Sequence, residues 1–171
     1  MKALLDTTYL LPAIGVAVSG VARDAVLRVR EAGHRTVASA VSVLEVAAKG
    51  GKLVAERRLD RRRLVRGLRA IAADRELDVV PVEREDLLVA AADLRSLHPD
   101  FLDCVLLATA AAESDVFLTE DRGLLRLARS EAFRRIARPV ARGFATQRAA
   151  QLLRPEEGRR GPAGGKSRER R

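Results

Sequence analysis

Four carboxylates stand where this chain could put them to chemical use. Asp6 closes the apolar run Ala3-Leu4-Leu5, and Asp121 follows Val116-Phe117-Leu118-Thr119-Glu120. Asp103 opens the run Cys104-Val105-Leu106-Leu107-Ala108, and Glu45 lies inside Val41-Ser42-Val43-Leu44-Glu45-Val46-Ala47. A carboxylate at the end of a buried strand loses hydration and needs something to compensate it. Several of them meeting on one rim repel one another and titrate upward unless a divalent cation joins them. Mg²⁺ takes one or two carboxylates directly and completes its octahedron with water and substrate phosphate, an arrangement suited to phosphodiester hydrolysis. Asp6, Glu45, Asp103 and Asp121 are therefore the candidate catalytic and metal-ligating residues. Thr7, Ser42 and Thr119 are candidates for orienting them by hydrogen bonds. Asp100 is a candidate for reaching a cation through water, and Arg122, beside Asp121, for touching a substrate phosphate.

Each of these residues also has a plainer reading. Asp6 and Asp121 could cap the helices that follow them. Asp103 could be an acidic residue favoured in a helix's first turn, and Glu45 a solvated helix position. Asp100, three residues before Asp103, fits an N-cap, and Glu120 points away from Asp121 if strand alternation continues. Cys104 reads as core. His34 and His98 read as loop residues.

Other chemistries are excluded by what is missing. No glycine-rich phosphate loop and no P-loop lysine follow Leu5-Asp6-Thr7-Thr8. One cysteine and two distant histidines cannot build a Cys/His zinc site. A phosphoryl-transfer enzyme of the haloacid-dehalogenase type wants a second Asp two residues after the first, where this chain has Thr8. A receiver domain wants an acidic pair there.

Strands alternating with helices must position these groups. The apolar runs predict strands at residues 2–6, 36–38, 77–82 and 116–119, with a fifth at 136–140. Helices are expected from Thr7 onward, over 21–32 with Gly33 closing it, and over 40–49 with Gly50-Gly51 ending it. More are expected over 54–73 (rich in arginine), 85–97, 102–113, 122–129 and 144–153. Such alternation predicts an α/β fold, a central parallel sheet of four to five strands with helices on both faces. Its right-handed crossovers set every strand's C-terminal end on one rim. Residues 1–153 form one domain in this reading. Residues 154–171, nearly devoid of apolar side chains, are expected to be a basic, disordered tail.

Composition narrows the partners. The net charge is +9, carried mostly by arginine, which suits a polyanion such as RNA. A GC-rich genome or a hot habitat, either of which yields an arginine- and alanine-rich chain, would account for that charge equally well. The aromatic fraction of 3% argues against base stacking on aromatic rings. Lys2 ahead of the apolar stretch 9–18 imitates a targeting signal, but Asp6 interrupts it and the stretch is far short of the ~20 residues that span a bilayer. No membrane segment and a cytoplasmic location are expected.

The motifs taken together resemble the PIN domain family. Leu4-Leu5-Asp6-Thr7-Thr8 looks like its opening strand, Asp, then Thr. Ser39-Ala40-Val41-Ser42-Val43-Leu44-Glu45 looks like its second element, a Ser one helical turn ahead of a Glu. Asp103-Cys104-Val105-Leu106-Leu107-Ala108-Thr109-Ala110 resembles the third, and Val116-Phe117-Leu118-Thr119-Glu120-Asp121 the fourth. The four occur in the family's order and span residues 4–121. The resemblance implies a three-layer fold on a five-stranded parallel sheet, a Mg²⁺ or Mn²⁺ site and endoribonuclease activity on single strands. It also implies, as in the VapC-like group, a toxin paired with an antitoxin protein, and a homodimer. The arginine-rich helix and the tail depart from the compact toxins. The rival is a catalytically idle PIN-like module that binds RNA or a protein.

Overall fold

The computed structural model describes residues 1–138 and 143–154. Five strands form one parallel sheet in the order β3-β2-β1-β4-β5: β1 Lys2–Leu5, β2 Arg35–Ser39, β3 Leu77–Val80, β4 Val116–Leu118 and β5 Ala145–Gln147. Successive side chains of a strand face opposite sides, and here both sides are covered. Ala3 and Leu5 of β1 join one apolar cluster while Leu4 joins the other; Val116 and Leu118 of β4 divide from Phe117 in the same way. This two-sided burial is why β1 and β4 read as unbroken apolar runs.

One face carries α1 Thr7–Leu10, a 3-10 turn Leu11–Ile14, α2 Ala25–Glu31, α3 Ala40–Ala55 and α4 Arg61–Ala73. The other carries α5 Glu85–Leu94, α6 Phe101–Glu113, α7 Arg122–Leu127 and α8 Glu131–Ala137. The short α9 Ala149–Leu152 ends the described chain. Among the described residues no helix is long and apolar enough to cross a membrane.

Several expectations need correction. Gly50-Gly51 does not end α3, which runs on to Ala55. A side chain at Gly50 would collide with Leu64 of α4, so the glycine lets two helices close up and its helix-breaking tendency is outweighed. Residues 54–73 are not one helix. Arg57 takes a positive φ of 57°, and α4 starts only after Asp60, whose carboxylate accepts from Arg63 N. At the C-terminal end helix and strand are exchanged. Ile136 and Ala137, expected in a strand, belong to α8, while residues 139–140 of that expectation lie outside the described part. Residues 145–147, expected in a helix, pair with β4 as β5. Ala-Thr-Gln has no apolar period, and the free edge of β4 decides its state. The expected tail of 154–171 lies, apart from Arg154, outside the described residues.

Candidate active site

β1 and β4 are neighbours at the centre of the sheet, and the chain leaves them in opposite directions. From β1 it moves toward β2 and β3; from β4 it moves toward β5. Such a switch point opens a crevice beyond the strands' carboxyl ends, the usual binding place in open α/β sheets. Asp6 and Thr119 stand at that crevice. Asp6 N donates to Leu118 O at 3.0 Å and Thr119 N to Gln147 O at 3.1 Å, each extending the ladder one residue past its strand.

Asp6 is 6% exposed. Its Oδ2 accepts from Thr119 Oγ1 at 2.7 Å and from Thr8 Oγ1 at 3.1 Å. Although it occupies the N-cap position of α1, its side chain makes no cap hydrogen bond, so capping does not explain its burial. Burial pushes its pKa up, the two hydroxyls pull against that, and the charge of Glu45 pushes it further up.

Glu45 reaches the site from α3. Its Oε2 accepts from Thr7 Oγ1 at 2.5 Å, and Lys49 Nζ lies 3.5 Å from Oε1, one turn along. Ser39 caps α3 by accepting from Val41 N. Ser42, fully buried, leaves its Oγ without a hydrogen-bond partner among the described residues, an orphaned polar atom three residues before Glu45 on α3.

Asp103 lies in the first turn of α6, whose N-cap is Asp100, accepting from Leu102 N at 2.8 Å and Asp103 N at 3.4 Å. Asp100 is thus a cap with an exposed side chain. Asp103 Oδ2 is 2.8 Å from His98 Nε2. Desolvation raises the pKa of Asp103, the His98 bond lowers it, and the charges of Asp100 and Glu45 raise it again. Glu45 thus acts electrostatically on both Asp6 and Asp103.

Asp121 is exposed and caps α7, its Oδ1 accepting from Gly123 N at 2.6 Å and Leu124 N at 2.9 Å. It is tied to Asp6 through a shared hydroxyl: Asp121 N donates to Thr119 Oγ1 at 3.0 Å, and that hydroxyl donates to Asp6. Arg122 begins α7 and is exposed.

His98 stands in the turn before α6, but it is a direct partner of Asp103, a role its reading as a loop residue leaves out. The signal in the sequence is the short His-Pro-Asp turn five residues ahead of the carboxylate. Glu120 also has a definite place. Its Oε1 accepts from Tyr9 OH at 2.7 Å, its Oε2 pairs with Arg148 at 3.2 Å, and Tyr9 OH accepts from Ala149 N at 2.9 Å. It fastens α1 to the C-terminal segment. Cys104 is core, fully buried.

Among the described residues, no three His, Cys, Asp or Glu side chains are gathered tightly enough to grip a metal ion between them. The donor chemistry nonetheless fits a hard divalent cation. It is all oxygen, two of its carboxyls are desolvated into raised pKa values, and Mg²⁺ needs few direct protein ligands because it keeps much of its water.

No curated protein matches the sequence at a significant level. The PIN domain profile matches residues 3–130, a span that holds all four carboxylates and both sheet neighbours at the switch point. The chain belongs to the PIN domain family.

Proposed function

We propose that this protein is an endoribonuclease that hydrolyses RNA phosphodiester bonds with Mg²⁺ or Mn²⁺. The observation that carries the reading is Asp6: a buried carboxylate at the switch point, bonded to two hydroxyls and coupled by charge to Glu45, which is coupled in turn to Asp103. An arrangement that raises carboxyl pKa values destabilises the folded chain unless a positive charge arrives.

Asp6, Asp103, Glu45 and Asp121 are the residues that would hold the cation. Such a cation, when bound, polarises the phosphate and lowers the pKa of an attacking water. The chain's own contribution is orientation. Thr119 and Thr8 fix the Asp6 carboxylate, Thr7 fixes Glu45, and His98 fixes Asp103. Thr119 further couples Asp6 to the backbone of Asp121, so the start of α7 moves with the centre of the site. Arg122 offers a guanidinium fork to a substrate phosphate.

The reading is tested by Asp6→Asn, which keeps the shape and removes the charge. Cleavage of a circularised RNA with Mg²⁺ or Mn²⁺ is expected from the wild type. A loss on the order of 10²–10³ is expected from the variant, as for removal of one charge-stabilising group. Circular RNA admits no exonuclease, so linear product establishes internal cleavage. The alternative is a catalytically idle module that binds RNA or a protein. It draws on Asp121 being engaged as a helix cap and on the open spacing of the carboxylates. A wild type that cuts no RNA under varied metals would establish it.

Within the nuclease reading, the biological setting is a cytoplasmic toxin, homodimeric and restrained by an antitoxin protein. Growth arrest on expression, relieved by the product of a small adjacent frame, supports that setting. Harmless expression of an active enzyme points to RNA processing.

A further inference from the structure

We infer that the outer face of α4 is a tract for the RNA backbone, holding the substrate strand beside the carboxylate rim. The inference rests on the nuclease reading and extends it to how substrate is held.

α4 buries Leu64, Gly67 and Ile71. A different stripe, Arg61, Arg62, Val65, Arg66 and Arg69, lines a surface groove of about 290 Å³. These positions follow the helical period, so the four guanidinium groups share one side of the helix. Among the described residues none of the four lies within ion-pair distance of a carboxylate. Arg28, Arg30, Arg35, Arg84 and Arg148 all have acidic partners. Exposed arginines without an acidic partner among the described residues occur elsewhere too, Arg23, Arg75 and Arg122 among them; what sets α4 apart is that four of them line one groove. Arg62 and Arg66 stand at i,i+4, a like-charge spacing that works against a helix, and residues 61–73 contain no acidic side chain. Helix stability does not account for such a stripe; a polyanion that neutralises it does.

The location joins the stripe to the site. α4 packs through Gly67 on Ala13 and Ile14 of the 3-10 turn, which directly follows α1, whose Thr7 is the hydrogen-bond partner of Glu45. α4 packs on α3, the helix that bears Glu45, with Leu64 against Gly50. The stripe is about 12 Å long at 1.5 Å per residue. That is the reach of roughly three phosphates at the ~3.4 Å spacing of a stacked strand. The guanidinium fork matches phosphate oxygens in geometry as well as charge. α4 carries no aromatic side chain, so it reads the backbone and not the bases.

The test is the variant Arg61→Gln/Arg62→Gln/Arg66→Gln/Arg69→Gln, with a labelled oligouridylate binding in EDTA at several salt concentrations. Affinity is expected to fall on the order of tenfold or more, and the salt slope to flatten by ~0.7 for each phosphate that is no longer neutralised. Cleavage of a dinucleotide with Mg²⁺ should be unchanged, because so short a substrate does not reach α4. The four-lysine counterpart should recover most of the affinity. If the glutamine variant loses its circular-dichroism melt, the pair variant Arg62→Gln/Arg66→Gln decides by the same slope. Unchanged affinity and slope in a folded variant overturn the inference. So does unchanged RNA binding with lost binding of polyglutamate, which would give the stripe to an acidic protein segment. If the wild type binds RNA through the stripe yet cuts nothing, the nuclease reading fails while the tract stands.

Discussion

Asp6 gives up its hydration at the meeting of β1 and β4, and its hydrogen bonds with Thr119 and Thr8 do not restore what burial removes. Ionising it costs more in the folded chain than in the unfolded one. The native state therefore keeps this proton to higher pH. Below the ordinary carboxyl value of 3.8 both states are protonated and the group is neutral in effect; stability of the metal-free protein declines as pH rises from there through the raised folded value. In EDTA, Asp6→Asn should melt increasingly above wild type across that interval, and a pH-independent gap would remove the charge argument. Added Mg²⁺ should narrow the gap by stabilising wild type alone. A second residue, Tyr9, tests the fastening of α1 to the C-terminal segment. Tyr9→Phe leaves the buried Ala149 N–H unsatisfied and takes a donor from Glu120, a loss of about 1–3 kcal/mol read by denaturant unfolding.

At the scale of elements, two glycines on neighbouring helices do opposite things. A Cβ at Gly67 would lie 2.5 Å from Ala13 O and 2.6 Å from Ile14 Cα, backbone atoms that cannot step aside. Gly67→Ala should lift α4 off the 3-10 turn and destabilise by about 1–3 kcal/mol, as overpacking commonly does. Gly51 sits in α3, exposed, with nothing within 4 Å of a Cβ built there. Gly51→Ala should stabilise by about 0.5–1 kcal/mol through the lost backbone freedom of glycine. Melting temperatures of the two variants should therefore move in opposite directions. Equal shifts would mean that helix propensity, and not helix contact, governs both sites.

For the molecule as a whole, charge is distributed unevenly along the chain. Residues 154–171 carry seven basic and three acidic side chains, a net +4 of the total +9. Removing residues 154–171 should weaken non-specific RNA binding and flatten its salt dependence, since each cation contributes through counterion release. The same truncation should leave the melting temperature in place, because the segment has almost no apolar side chain to bury. A large fall in melting temperature would show that it docks on the body.

How much was legible in the sequence follows from which interactions are local. Apolar runs bounded by turn residues placed β1 and β4, because strands covered on both faces must be apolar throughout; β3, an edge strand with Asp78 and Val79 exposed, was legible from its β-branched residues instead. The carboxylates at Asp6 and Asp121 were visible for a related reason: each closes or closely follows a buried run. Asp100 was legible as a cap because capping involves only neighbours in the chain. Tertiary structure decided the rest. β5 exists because β4 has an edge to pair, and residues 145–147 carry no pattern of their own. α3 passes through Gly50 because Leu64, on another helix, needs the space. The tie from His98 to Asp103 depends on a turn's geometry. The hydroxyl shared by Asp6 and Asp121 joins residues more than a hundred positions apart, and only the parallel pairing of β1 with β4 brings them together.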